Sequence, residues 1–199
     1  MRRISLARSV AVFVDRDDTL MVDVKYCTDP ALVQLIPGAA QGLRSLRKAG
    51  YRVVVVTNQS GIGRGYFDTE TLERVHNRLR NELRRAGTDY DALYYCPHTP
   101  EEDCQCRKPK PGLLLKAASE LDIDLASSYM VGDRDLDVGA GKAAGTKTIL
   151  VSRTDLRDNS GSDSLADFVA PTLADAAKLI LSSSRNRVGR AGSHIRLHS

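Results

Sequence analysis

The chain has 199 residues, 42% of them hydrophobic beyond 15 glycines, and carries 29 basic against 25 acidic side chains for a formal charge of +4. That composition suits a single globular domain able to bury a full core, and it excludes a disordered or fibrous chain. The excess charge lies in residues 185–199, where Arg185, Arg187, Arg190 and Arg196 have no acidic neighbour, so the body is neutral and shows no nucleic-acid signature.

No apolar run approaches the ~20 residues of a membrane span. The start, Met1-Arg2-Arg3 before Val10–Val14, imitates a secretory signal, but its apolar stretch is short and runs into Asp15, Asp17 and Asp18. Val10–Val14 instead reads as a strand buried on both faces. Gly38–Ala49 reads as a helix stopped by Gly50, and Tyr51–Val56 as a second buried strand. Asp68 is the expected N-cap of a long amphipathic helix carrying Leu72, Val75, Leu79 and Leu83 and ending at Gly87.

A third strand is expected at Ala92–Tyr95, followed by a cysteine-rich loop and a helix with Pro111 in its first turn. Tyr129–Val131, residues 136–144 and Lys147–Val151 read as strand, helix and strand. A last strand near Phe168–Val169 and a helix at about 172–182 complete the body, residues 1–183. A basic tail, residues 184–199, follows and is expected to be flexible. The alternation predicts an α/β fold, a doubly wound and mainly parallel sheet.

Polar clusters follow the strands directly. Asp15-Arg16-Asp17-Asp18-Thr19 follows the first, Thr57-Asn58-Gln59-Ser60-Gly61 the second, and Gly132-Asp133-Arg134-Asp135-Leu136-Asp137 the fourth. Arg107-Lys108-Pro109 precedes the helix after the third. In a parallel sheet the carboxyl ends share one edge, so these groups should converge on one crevice. Clustered carboxylates call for a cation, and Mg²⁺ suits oxygen-only sites that also take a phosphate oxygen. A carboxylate beside a phosphate can attack phosphorus, a second can move protons, and a lysine with hydroxyl and amide donors can hold the transferred oxygens.

Cys96-Pro97-His98 and Cys104-Gln105-Cys106 form a Cys₃His set suited to a closed, structural Zn²⁺ site in a loop. Such thiols imply a reducing compartment, read as the cytoplasm. Fixing Cys106 also fixes where Arg107 and Lys108 point. Neither the Asp15–Thr57 interval nor the Asn58–Lys108 interval has room for a cap domain, which needs at least ~50 residues. Access is left to a flap at about residues 20–36, the 59–66 loop and the zinc loop. An open crevice of this kind suits a phosphorylated sugar or another small metabolite, and a monomer is expected.

Asp15-x-Asp17-x-Thr19, Thr57-Asn58, Lys108 and Gly132-Asp133-x-x-x-Asp137 resemble, in order, the four motifs of the haloacid dehalogenase superfamily, closest to its phosphatase branch. The resemblance implies Asp15 as nucleophile and Asp17 as general acid/base, with Thr57 and Lys108 on the phosphoryl group. It implies Mg²⁺ held by Asp15, the Asp17 backbone carbonyl and Asp133, with Asp137 in support. The zinc loop, Thr57–Gly65, Tyr94–His98 and Cys106–Pro109 look like the heptose 1,7-bisphosphate 7-phosphatases. The related histidinol-phosphate phosphatases are the alternative, and a catalytically decayed binding protein a further one. Ser60 and Arg64 favour a neutral, doubly phosphorylated sugar. In that reading Arg107 contacts substrate, Arg64 meets the distal phosphate, and Asn58, Gln59 and Arg134 join the substrate-binding set. Asp18 stands where the family usually has Gly; it is expected to face solvent or cap a turn rather than point at the anion.

Overall fold

The computed structural model describes residues 8–152 and 165–191. Six strands, β1 (Ala11–Val14), β2 (Arg52–Asn58), β3 (Ala92–Cys96), β4 (Tyr129–Gly132), β5 (Lys147–Val151) and β6 (Phe168–Ala170), form one sheet in the order β3-β2-β1-β4-β5-β6. Every pairing is parallel. The helices are α1 (Ala39–Lys48), α2 (Thr69–Arg85), α3 (Gly112–Leu121), α4 (Asp135–Ala144) and α5 (Leu173–Ala191).

Both faces of the sheet are covered, which is why its central strands are mostly apolar and buried rather than alternating. On one face Val12, Val14, Val53, Val55 and Val131 pack under Leu43 and Leu46 of α1, Val75, Leu79 and Leu83 of α2, and Ile180 of α5. On the other, Ala11, Phe13, Val54 and Val56 meet Leu113, Leu114 and Ala117 of α3 and Ala140 of α4. The Asp68 side chain caps α2 by accepting the Thr71 N–H at 2.8 Å, as its position predicts.

Two boundaries differ from the sequence reading. Strand β2 continues past Val56 to Asn58, carrying Thr57 and Asn58 on regular backbone. Helix α5 runs through Ser182-Ser183-Ser184, where a stop was expected, to Ala191. The Ser182 and Ser183 hydroxyls donate to the Leu179 carbonyl at 2.9 Å each, so these serines bond back onto the preceding turn instead of ending it. The expected flexible tail is thus helical as far as 191, and positions 192–199 lie outside the described residues.

Strand order reverses at β1, whose two neighbours, β2 and β4, leave it in opposite directions along the sheet. That is the switch point at which an open α/β sheet opens a crevice beyond its carboxyl ends. Among the described residues the segment from β1 to α1 holds only isolated bridges and a 3-10 turn at Pro30–Leu32, so a flap rather than a cap domain stands over the crevice.

Candidate active site

Asp15 and Asp133 emerge from β1 and β4, and the Asp15 N–H donates to the Val131 carbonyl at 2.9 Å, locking the two strand ends together. Asp137 joins them from the first turn of α4, where its Oδ2 accepts the Arg134 N–H at 3.1 Å. Gly132 makes room for it: a methyl group there would run into the Asp137 carboxylate. Oxygens of Asp15, Asp133 and Asp137 all lie within 4.8 Å of one another. Lys108, 3% exposed, reaches into this cluster and donates from Nζ to Asp15 Oδ1 at 2.6 Å, Asp137 Oδ1 at 2.5 Å and the Val56 carbonyl at 3.0 Å.

The electrostatics follow from two buried carboxylates sharing one ammonium, with a third carboxylate beside them. Burial, with help from Asp137 and Asp17, pushes Asp15 up to about 8 despite Lys108. Burial and Asp137 push Asp133 up to about 6. The two carboxylates bonded to Lys108 outweigh its own burial and hold it above the ordinary lysine value, so it stays an ammonium. When all three carboxylates ionise, their charge exceeds that of Lys108 and the rim cation Arg134, 3.5 Å from Asp133, together. A hard divalent cation fits that deficit and that all-oxygen donor set.

Asp17 stands apart from this trio. Arg16, 2% exposed, grips its carboxylate from Nε at 3.1 Å and from Nη2 at 2.8 and 3.1 Å. Gln59 Nε2 donates to Asp17 Oδ2 at 3.0 Å and to Thr57 Oγ1 at 2.9 Å, and Thr57 itself lies 3.5 Å from the carboxylate. Arg16 Nη1 meets His76 Nε2 at 3.1 Å. Burial and the adjacent guanidinium depress His76 to about 3, so it is neutral and accepts that bond.

A thiol cluster lies in the loop that leads to Arg107 and Lys108. Sulfur separations are 3.5 Å for Cys96–Cys104, 3.4 Å for Cys104–Cys106 and 3.2 Å for Cys96–Cys106, with His98 Nδ1 3.2 Å from Cys106 and 3.6 Å from Cys96. A tetrahedral Zn²⁺ with bonds of ~2.3 Å to sulfur requires sulfurs ~3.8 Å apart, so the four groups fit zinc after a small expansion. Burial keeps Cys96 and Cys106 above the usual thiol range. Burial opposes ionisation of Cys104 as well, but hydrogen bonds from Cys106 and Cys96 overcome it and bring Cys104 down to about 7.

Lys108 is braced by two separate devices. The Cys96–Cys106 loop places it two residues after Cys106, and Gly112 lets the start of α3 close onto Gln105 where a side chain would collide. From the sheet, Asn58 accepts the Lys108 N–H at 3.0 Å and donates to its carbonyl at 3.1 Å. Asn58, expected on the substrate, thus spends both ends of its amide on the lysine backbone.

A cavity of about 460 Å³ opens above these groups, lined by Asp15, Asp17, Thr57 and Lys108 and, at its rim, by Lys25, Arg64, Arg107 and Arg134. Arg64 sits 3.8 Å from Glu101, Arg107 donates to the His98 carbonyl at 3.2 Å, and Arg134 pairs with Asp23 at 3.4 Å and Asp133 at 3.5 Å. Asp18 has φ 52°, a left-handed conformation that glycine and aspartate tolerate best. Its Oδ1 accepts the Asp23 N–H at 3.1 Å, so it caps the flap turn as expected.

The carboxylates of Asp15 and Asp133 and the Lys108 ammonium therefore meet as their places at the strand ends predict, with Thr57, Gln59 and Asp17 beside them. Arg64, Arg107 and Arg134 remain at the rim. Sequence reasoning missed Arg16 and His76 as a buried support for Asp17, and Lys25 and Tyr26 as parts of the rim. The signal for Arg16 was its place between two aspartates, where its charge has partners on either side. His76 had none, being one polar residue on the face of α2 that also carries Leu72 and Leu79.

A family model described as HAD-hydrolase-like matches residues 105–176. The chain is 42% identical over 176 residues to the D-glycero-beta-D-manno-heptose-1,7-bisphosphate 7-phosphatase of Pasteurella multocida, covering 85% of this chain and 96% of that one. It is 40% identical over 183 residues to the enzyme of the same name from Escherichia coli K12, covering 88% and 96%. Among solved structures it is similar to the D,D-heptose 1,7-bisphosphate phosphatase of B. bronchiseptica complexed with magnesium and phosphate. That match has a TM-score of 0.76 at 34% identity and covers 87% of this chain and 99% of the other. The counterpart from Burkholderia thailandensis gives 0.63 at 30% identity, covering 87% and 99%. Relatives of this identity, matched over nearly their whole length and carrying the same fold, show that the chain belongs to the D-glycero-beta-D-manno-heptose-1,7-bisphosphate 7-phosphatase family of HAD-like hydrolases.

Proposed function

We propose that the chain hydrolyses the 7-phosphate of D-glycero-D-manno-heptose 1,7-bisphosphate, with Asp15 as nucleophile and Asp17 as general acid/base. The observation that carries this reading is the trio of carboxylates within 4.8 Å of one another, two of which, Asp15 and Asp137, are bound to a single buried lysine. Asp15, Asp133 and the Asp17 backbone carbonyl would hold Mg²⁺, with Asp137 in support. The ion, when bound, offsets the site's excess negative charge and polarises a phosphoryl oxygen.

Asp15 Oδ attacks phosphorus and the bond from phosphorus to the sugar oxygen breaks, leaving an aspartyl-phosphate. Asp17 gives its proton to the departing sugar oxygen. It then takes one from a water that attacks the same phosphorus, and cleavage of the Asp15–phosphorus bond releases phosphate. Lys108 and Thr57 stabilise charge on the transferred oxygens. Arg16 and Gln59 set the orientation of Asp17. The Cys96, His98, Cys104 and Cys106 set holds Zn²⁺ as a structural ion, and its cysteines, none in a disulfide, favour the cytoplasm. No described helix is long and apolar enough to cross a membrane. We read the protein as a monomer acting on a small sugar phosphate, with no nucleic-acid partner.

Initial rates measured side by side on heptose 1,7-bisphosphate, fructose 1,6-bisphosphate and histidinol phosphate test the assignment. The heptose is expected to lead in kcat/KM by at least about tenfold, a margin that one set of substrate hydrogen bonds supplies. Equal or better turnover of histidinol phosphate would move the chain to that activity.

Mg²⁺ should also stabilise the fold in a pH-dependent way. Asp15 and Asp133 have folded values near 8 and 6 against 3.8, so the folded chain holds protons that the unfolded chain has released. Their ionisation costs stability progressively as pH rises through those folded values. The cation can displace protons only by competing with them. The Mg²⁺-induced rise in Tm is therefore expected to grow between about pH 6 and pH 8.5. Thermal unfolding with and without Mg²⁺ at three pH values reads it, and an increment independent of pH would count against this metal set.

A further inference from the structure

The flap tip carries an unusual backbone. Lys25 and Tyr26, neither a glycine, adopt φ 40° and 59° in succession. Left-handed backbone is costly for side-chain-bearing residues and persists where surrounding contacts over-determine it. Here several contacts do so. The Asp23 N–H is held by Asp18 at 3.1 Å, the Lys25 N–H is held by Asp23 Oδ1 at 2.8 Å, and Asp23 Oδ2 meets Arg134 at 3.4 Å. The Tyr26 ring packs edge-on to Tyr66 from the opposite loop, centroids 4.8 Å apart at 82°. The result is that an exposed lysine lines the cavity mouth.

Its charge is uncommitted. Of the other rim cations, Arg134 is paired with two aspartates, Arg64 lies 3.8 Å from Glu101 and Arg107 is spent on a carbonyl. Among the described residues no carboxylate oxygen lies within 4.0 Å of the Lys25 ammonium. The anion consumed by the chemistry belongs at the cavity floor, on Lys108, in a cavity of about 460 Å³ that leaves room for the rest of a sugar bisphosphate.

Resting on the heptose-bisphosphate reading, we propose that Lys25 is a specificity determinant that binds the second, non-reacting phosphate at the mouth of the cavity. Such a contact is made equally in the ground and transition states, so it acts on KM rather than on kcat.

The test compares kcat/KM for the heptose 1,7-bisphosphate with that for the heptose 7-monophosphate, in wild type, Lys25→Gly and Lys25→Arg. Glycine accepts φ 40°, so its backbone is retained while the charge is lost. The bisphosphate preference is expected to fall about tenfold in Lys25→Gly through a higher KM for the bisphosphate, and to return to within about twofold of wild type in Lys25→Arg. A wild-type preference that survives Lys25→Gly, or an arginine variant as poor as the glycine one, would overturn this inference alone. A wild-type enzyme indifferent to the second phosphate would overturn it together with the bisphosphate assignment.

Discussion

Asp15→Asn is expected to lower kcat by on the order of 10⁴-fold or more, the scale seen when the nucleophile of a covalent mechanism is removed. An amide of the same shape fills the place but has no anionic oxygen with which to attack phosphorus. The variant should nevertheless fold. Burial holds the Asp15 carboxyl up at about 8, so its ionised form is a cost to the folded state that grows as pH rises towards that value. Asparagine carries no such cost, and Lys108 keeps Asp137 at 2.5 Å as its counter-ion. At pH 8 without Mg²⁺, the variant's Tm is expected to match or exceed that of wild type while turnover disappears. Steady-state rates and thermal unfolding on the same preparation check both halves, and activity within tenfold of wild type would remove Asp15 from the nucleophile role. Asp17→Asn differs in kind: it strips the 2%-exposed Arg16 of its carboxylate, so loss of activity there comes with loss of stability.

Much of this site was legible because the chemistry sits at strand ends. A four-residue apolar run followed at once by Asp-Arg-Asp tells where the chain leaves the core, and parallel pairing then forces the other strand ends to the same edge. That logic located Asp15, Thr57 and Asp133, and the close spacing of four soft ligands located the Cys96–Cys106 loop. It could not locate contacts made by side chains distant in sequence. Asn58 and Lys108 are fifty positions apart, and nothing local indicates that the amide braces a backbone. Arg16 lies between two aspartates, which hints at a charge partner, but nothing local indicates that tertiary packing turns it inward to His76, sixty positions away. The flap was equally opaque, since left-handed backbone at Asp18, Lys25 and Tyr26 goes against local preference and is held by hydrogen bonds within the flap and by the Tyr26–Tyr66 contact with a distant loop.

Zinc removal, or Cys106→Ser in the ligand set, is expected to cut activity by 10- to 100-fold and to lower Tm markedly, although no zinc ligand touches the cavity floor. The loop from Cys96 to Cys106 has little core of its own: Cys96 is buried, but Cys104, Cys106 and His98 are only half-buried, and the intervening 3-10 turn buries nothing. With Zn²⁺ bound as proposed, the fold of that loop would depend on the ion bringing its four ligands together. Two residues beyond the last ligand the chain must deliver the Lys108 ammonium to within 2.6 Å of both Asp15 and Asp137. Freed from Cys106, the Lys108 backbone retains its paired bonds to Asn58, and that second brace is the reason the loss should stop short of the Asp15→Asn value. A combined Asn58→Ala and Cys106→Ser variant removes both supports and is expected to fall well below the product of the single effects, since each brace covers for the other. Metal content per chain, Tm and kcat measured on the four proteins of this cycle decide it: purely multiplicative losses would mean that loop and strand position Lys108 independently, and a zinc-free enzyme with wild-type kcat would mean that the loop does not position it at all.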